Sequence, residues 1–247
     1  MKKIMLSLIS CLALTVCAQE KFIRPTVEMY PIKNFSVADG LKNPAWSGVK
    51  EYPMMLNAAI PQEFGVLPRE EGKVQLMYDK ENIYIRAIML DSEVISEAVD
   101  KNSPLPNCAD NFYVILRPLN ETGFFYLICT PNAIMKATFV HGAGSMRLES
   151  ANMPLKSEIK VYTAINGKIN DSKRDKSWSI FLALPINKMM QEVRKSGFNV
   201  NESRGFSFMA GRKNFSRFLE MIEISGYPQP VRGFFNNMHH HAKLVKR

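Results

Sequence analysis

The chain has 247 residues, 46% of them hydrophobic and 22% charged, and a formal net charge of +9. That balance excludes a disordered, collagen-like or disulfide-dense small scaffold, and it supplies enough apolar surface for a core without metals or bridges. Fifteen Phe and eight Tyr against two Trp favour strands over a helical bundle.

The first residues read as an export signal. Lys2 and Lys3 precede an almost wholly apolar run from Ile4 to Val16, and Val16-Cys17-Ala18 offers small residues at a cleavage site, so residues 1–18 are expected to be removed after Ala18. The run is too short for a membrane span of about 20 residues. Leu14-Thr15-Val16-Cys17 also reads as a lipoprotein box that would anchor the chain at Cys17, although Val16 departs from the Gly, Ala or Ser usual there. No other stretch is apolar enough to span a bilayer. Cleavage takes Lys2 and Lys3 away, leaving a net charge of +7, and retains Cys108 and Cys129. In an oxidising compartment these either pair or remain two buried thiols.

Residues 19–247 are expected to form a single domain. Gln19 to Ser36 reads as an extended lead-in, Asp39-Gly40 as a turn, and Pro44-Ala45-Trp46 as an apolar anchor. Glu51 to Gly72, with three prolines, reads as loop with one edge strand. Val74–Tyr78 and Ile83–Leu90 flank the turn Asp79-Lys80-Glu81-Asn82 as a hairpin. Further strands are expected at Asn111–Arg117, Phe124–Thr130, Ala133–Val140, Glu158–Ile165, Trp178–Leu184, Gly205–Arg212 and Ala242–Val245. Ile186 to Ser196 is the one convincing helix, with Met189, Met190 and Val193 inward and Gly197 as its stop. Short strands separated by turn signals predict an all-β fold, an antiparallel β-sandwich with jelly-roll or immunoglobulin-like layering and one short helix.

Asp39-Gly40 with Pro44-Ala45-Trp46, Tyr78 to Ile85, Asp110 to Leu116, Trp178 to Pro185 and the basic, aromatic segment Arg212 to Arg217 occur in an order that resembles the family 9 carbohydrate-binding modules. The resemblance spans most of residues 36–247. It implies a β-sandwich that binds glycan without catalysis, often beside glycoside hydrolases, in support of polysaccharide breakdown at the cell envelope or outside it. A structural calcium is part of the same implication, and turn carboxylates suit one.

The ligand-bearing positions depart from the family pattern. An aromatic residue that helps sandwich the sugar becomes Asn107, and the two glutamates become Tyr113 and Phe181. Asn107, Asp110, Tyr113, Arg212 and Tyr227 are therefore the candidate carbohydrate-binding residues. For Asp110 the plainer reading is a strand-end cap. Trp46 and Trp178 read either as sugar platforms or as core packing, and their apolar settings favour packing.

Other chemistries find little purchase. A Ser–His–Asp triad needs a positioned base, yet the histidines are His141, before a glycine-rich loop, and the run His239-His240-His241. Consecutive strand residues alternate faces, so at most two of that run would converge on a metal. Glycosidase chemistry needs two carboxylates across a cleft, and the acidic residues lie mostly at turns. The expectation is thus a binding protein with no catalytic residues, no designed metal site and no certain cofactor. Met54, Met55, Met77 and Met89 with His141 are the side chains a heme-binding sandwich would use, or else they fill the core. A structural envelope protein without a sugar ligand is the third alternative. Residues 203–247 hold eight basic and two acidic residues among seven aromatics, which suits an acidic glycan or a lipid head group, while nucleic acid is not expected for an exported chain.

Overall fold

In the computed structural model, the described residues are 24–57, 65–97, 109–119, 121, 123–141, 152–198, 205–219, 221–230 and 240–247. Export signal, Asn107 and Cys108 lie outside them. The strands are β1 (Thr26–Pro31), β2 (Tyr52–Pro53), β3 (Met55–Leu56), β4 (Gly72–Tyr78), β5 (Ile83–Leu90), β6 (Asn111–Pro118), β7 (Phe124–Cys129), β8 (Met135–Val140), β9 (Asn152–Pro154), β10 (Lys160–Asn166), β11 (Ser177–Leu184), β12 (Phe206–Ser216), β13 (Met221–Tyr227) and β14 (Ala242–Lys246), with one α-helix, α1 (Ile186–Lys195). The fold is mostly β, built as one curled sheet.

Its strand order is β10-β11-β5-β4-β1-β14-β12-β6-β7-β8-β9, with β13 beside β12, β3 beside β13 and β2 beside β4. The purely antiparallel arrangement expected from the sequence is corrected at β1, which runs parallel to both its neighbours. Thr26 to Met29 pair with Lys243 to Lys246, and Tyr30 and Pro31 pair with Met77 and Tyr78. A segment read as an extended lead-in is therefore the strand that joins the two halves. Two prolines hid it: Pro25 precedes β1 and Pro31 ends it, where a missing N–H costs no ladder bond.

Alternation along the strands builds the core. Val74, Leu76, Ile85 and Trp178 from one half share a single buried cluster with Phe112, Val114, Phe125 and Phe208 from the other. β6 is buried along its whole length. Its even-numbered apolar residues enter that cluster, while Tyr113 and Ile115 on the opposite face pack with Phe124, Val140 and Met209. On the outer face of β4, β5 and β11, a segment with two short 3-10 turns covers Met77, Tyr84 and Phe181 with Trp46 and Val49. α1 buries Met189, Met190 and Val193 as expected, and Gly197 follows it at φ 94°, a conformation that favours glycine.

The hairpin turn shows the local logic. Asp79 Oδ1 accepts the Glu81 and Asn82 N–H groups at 2.8 and 2.7 Å, and its Oδ2 accepts the Tyr84 hydroxyl at 2.6 Å. The turn thus satisfies its own backbone donors and fixes where β5 begins.

Candidate functional site

One end of the fold carries a cleft of about 840 Å³ whose lining includes Ile95, Glu97, Asn170, Phe215, Arg217 and Ile222. Its walls come from the segment after β5, the β10–β11 connection, and the junction of β12 with β13. Each wall is pinned by a side chain that accepts backbone N–H groups. Asp175 Oδ2 holds Val94 N at 2.7 Å. Asn170, at φ 57°, exchanges two bonds with the Ser96 backbone, at 3.0 and 2.7 Å. Asp110 takes Ile95 N at 2.6 Å on one oxygen and Phe215 N at 2.8 Å on the other. A single buried carboxylate therefore ties the two opposite walls together.

Beneath the cleft lies a buried polar network. Arg212 is fully buried and pairs with Asp91 at 3.0 Å. It also donates to Asn214, whose amide donates to Glu70 at 2.6 Å. Glu70 in turn accepts Ser92 N at 2.6 Å. Burial pushes Asp91 up to about 6 despite the Arg212 guanidinium beside it. Burial, and then the Asp91 charge, push Asp110 up to about 8, against the pull of its two backbone donors. Asp91 thus pairs directly with the buried guanidinium, Glu70 reaches it through the Asn214 amide, and Asp110 lies within its field.

A pH dependence follows from the raised folded values. Folding favours protonated Asp91 and Asp110, so the stability they contribute is complete below their ordinary value of 3.8 and is lost as pH rises to about 6 and about 8 respectively. The melting temperature is expected to fall between pH 5 and pH 8.5, measured by calorimetry. In Asp110→Asn the fall between pH 6 and pH 8 should be smaller, and an unchanged slope would contradict the assignment.

Above the network, Glu93 is 2% exposed while the side chain it holds, Arg217, is 72% exposed. Glu93 accepts the guanidinium and also the Arg217 backbone N–H at 2.6 Å. This fixes the guanidinium plane and leaves its outer N–H groups toward solvent. Arg174 lies over the Phe218 ring at 5.7 Å, and Lys213 over the Phe215 ring at 4.7 Å. Ile222, 65% exposed, completes the apolar surface. An apolar floor beside oriented donors is what a pyranose presents to a protein in reverse, a C–H face edged with hydroxyls.

The described sequence-derived candidates, Asp110, Tyr113, Arg212 and Tyr227, do not share one surface. Asp110 and Arg212 share the buried network. Tyr113 is 4% exposed in the outer cluster of β6, where burial raises its hydroxyl. Tyr227 is half-buried against Tyr52, ring centroids 4.8 Å apart, away from the cleft. Glu93, Glu97 and Asn170 lie in segments where the sequence pattern names no strand or helix; the acid-rich Asp91-Ser92-Glu93 step after β5 is a signal for Glu93 alone. Trp46 and Trp178 are both 1% exposed. Met54 and Met89 fill the main core, Met77 packs with Trp46, and His141 stacks on Phe198 at 3.9 Å. Cys129 is a buried free thiol, which burial pushes well up.

Asp79, Asp110 and Asp175 are spent on backbone N–H groups, and among the described residues no three His, Cys, Asp or Glu side chains converge as metal ligands. No helix among them is long and apolar enough to cross a membrane.

No protein-family model matches the chain, and no curated protein sequence is significantly similar to it. Solved structures do match its fold. A Bacteroides uniformis protein described as a candidate carbohydrate-binding protein superposes with a TM-score of 0.61 at 11% identity, over 91% of this chain and 100% of its own. A family 9 carbohydrate-binding module of Caldicellulosiruptor kristjanssonii, solved with cellotriose, gives 0.52 at 11% identity, over 90% and 93%. The same kind of module with glucose gives 0.52 at 11%, over 89% and 95%. The chain therefore has the fold of the family 9 carbohydrate-binding modules.

Proposed function

We propose that the chain is a non-catalytic glycan-binding module, one domain behind an export signal, that holds a saccharide in the cleft between Ile95 and Ile222. The observation that carries this reading is the Arg217 guanidinium, locked by buried Glu93 and projecting beside the Phe215 and Ile222 surface. The guanidinium fork would donate to adjacent hydroxyls, Glu97 would accept from a third, and the apolar floor would meet the C–H face. Asp110 and Arg212 act from beneath, by holding the walls; Asn107 lies outside the described residues. Arg174 and Lys213 suit a glycan that carries acidic groups. The fold shared with modules bound to glucose and cellotriose supports the same class of ligand.

The export signal, whether cleaved after Ala18 or lipidated at Cys17, would place the protein at the envelope or outside the cell. There it would serve polysaccharide breakdown in trans, by keeping separate enzymes near their polymer.

A glycan array followed by isothermal titration calorimetry tests this. At least one saccharide is expected to bind, and Arg217→Ala should weaken it about tenfold or more, the loss of a hydrogen bond to a charged group. Binding of an acidic glycan should also weaken with added salt. An array with no ligand, or an affinity indifferent to Arg217→Ala, rejects the proposal.

A further inference from the structure

The basic carboxy-terminal stretch, one face in the sequence, divides in space. Arg212 is buried, Arg217 lines the cleft just described, Lys213 lies over the Phe215 ring of that cleft, and Lys246 and Arg247 stand at the opposite ends of the strands. The length of β5 puts the two ends about 25 Å apart.

A second cleft, of about 550 Å³, opens there. Met29, Ile83, Phe206 and Leu244 form its floor, core residues with 4 to 9% of their surface exposed. Tyr78, Lys80, Asn82, Asn187 and Lys246 form its rim. Lys246 Nζ sits 5.1 Å from the centre of the Tyr78 ring, which holds the ammonium at the aromatic wall. Asn187 donates to the Lys80 carbonyl at 3.3 Å, pinning the hairpin turn to the start of α1. Asp79 also lines this cleft, but both its oxygens are taken by the turn and by Tyr84. Arg247 lies close by, bonded to the Tyr30 hydroxyl at 2.7 Å. Asp79 keeps its negative charge, but Lys80, Lys246 and Arg247 outnumber it, so the charge shown to a ligand is net positive, above an apolar floor.

We propose that this second cleft binds an acidic sugar residue, with its carboxylate between Lys80 and Lys246, its C–H face on the floor, and its hydroxyls donating to the amide oxygens of Asn82 and Asn187. A neutral sugar would leave both ammonium groups unmatched. A bare inorganic anion would leave the apolar floor wet. With sites at both ends, one chain bridges two glycan segments, which raises avidity without further contacts. The inference stands apart from the first cleft, because no residue is shared.

Amide chemical-shift titration of the protein with sodium glucuronate, with glucose as the neutral control, tests it. Glucuronate is expected to move the amides of Lys80, Asn187, Gly205 and Lys246, more at low salt than at high salt, and glucose is not. Lys246→Met and Lys80→Met should each weaken that response about tenfold, the loss of one charge-assisted bond, while Arg217→Ala leaves it unchanged. The spectra themselves report whether each variant is folded. No shift at saturating glucuronate, an equal response to glucose, shifts confined to the first cleft, or an affinity indifferent to both lysine variants overturns the proposal. A glycan affinity indifferent to Arg217→Ala, with this response intact, would count against the first cleft alone.

Discussion

Replacing Arg212 with Met is expected to lower the unfolding free energy by about 3–5 kcal/mol, and the melting temperature by roughly 10 °C for a chain of this size. Among the described residues Arg212 is the fully buried cation that meets Asp91 and Asn214, with Glu70 beyond, and none of these is more than 7% exposed. Methionine matches much of the aliphatic stem, so the loss is mainly electrostatic. Removing one partner of a buried pair leaves the others desolvated and unmatched, which costs more than the pair ever contributed. Two controls separate this from a packing defect. Arg212→Met combined with Asp91→Asn should recover part of the loss, because the orphaned charge is gone. The penalty should also shrink at pH 5, where Asp91 and Asp110 take up protons. A penalty that is the same at pH 5 and pH 8, and unrelieved in the double variant, would mean that Arg212 matters for its volume alone.

Much of the sheet was legible because its signals are local. Ile83 to Leu90 reads as a strand from its β-branched and aromatic residues, and the structure starts and ends β5 at those residues. The helix was legible from Met189, Met190 and Val193 with Gly197 after them. β1 was not, because its pairing is parallel and long-range, to β14 more than two hundred residues away. β13 carries no strand in the sequence reading, because Gly226 is a poor strand former; in the structure that glycine allows a close approach, since a Cβ on it would lie 2.7 Å from the Ala210 carbonyl oxygen. The site was harder still. Composition gathered Arg212, Lys213 and Arg217 into one basic motif, but strand alternation and the turn that follows sent them to different surroundings. Burial, which decides whether a charge meets a ligand or holds a wall, depends on what covers the strand. That information is spread across β4, β5 and β6, and no local pattern carries it.

Trp46→Ala is expected to cost about 3–5 kcal/mol, the range for deleting a fully buried aromatic side chain, and to leave glycan affinity unchanged in the fraction that remains folded. The indole is 1% exposed, and its Nε1 donates to the Gly40 carbonyl at 2.6 Å. Its ring meets Phe181 edge-on at 6.4 Å and Phe35 at 6.3 Å, while Arg86 stacks over it at 4.9 Å. Gln75 holds the same segment by donating to the Trp46 and Val49 carbonyls at 2.9 and 2.8 Å. The glycine of the Asp39-Gly40 step is required for room rather than for backbone conformation. Its φ is −47°, within reach of any residue, but a Cβ there would come within 2.5 Å of the Phe181 ring. Gly40→Ala should therefore push Phe181 away from Trp46 and reproduce part of the Trp46→Ala loss, whereas an alanine at exposed Gly48, where a Cβ meets nothing within 4 Å, should not. Chemical denaturation of the three variants, read beside calorimetry of the glycan at the first cleft, checks both halves of the expectation. If Trp46→Ala abolished binding while the protein stayed folded, the indole would have to reach a ligand that its present burial denies it, and the saccharide would belong on the outer face of β5 and β11 rather than at the strand ends.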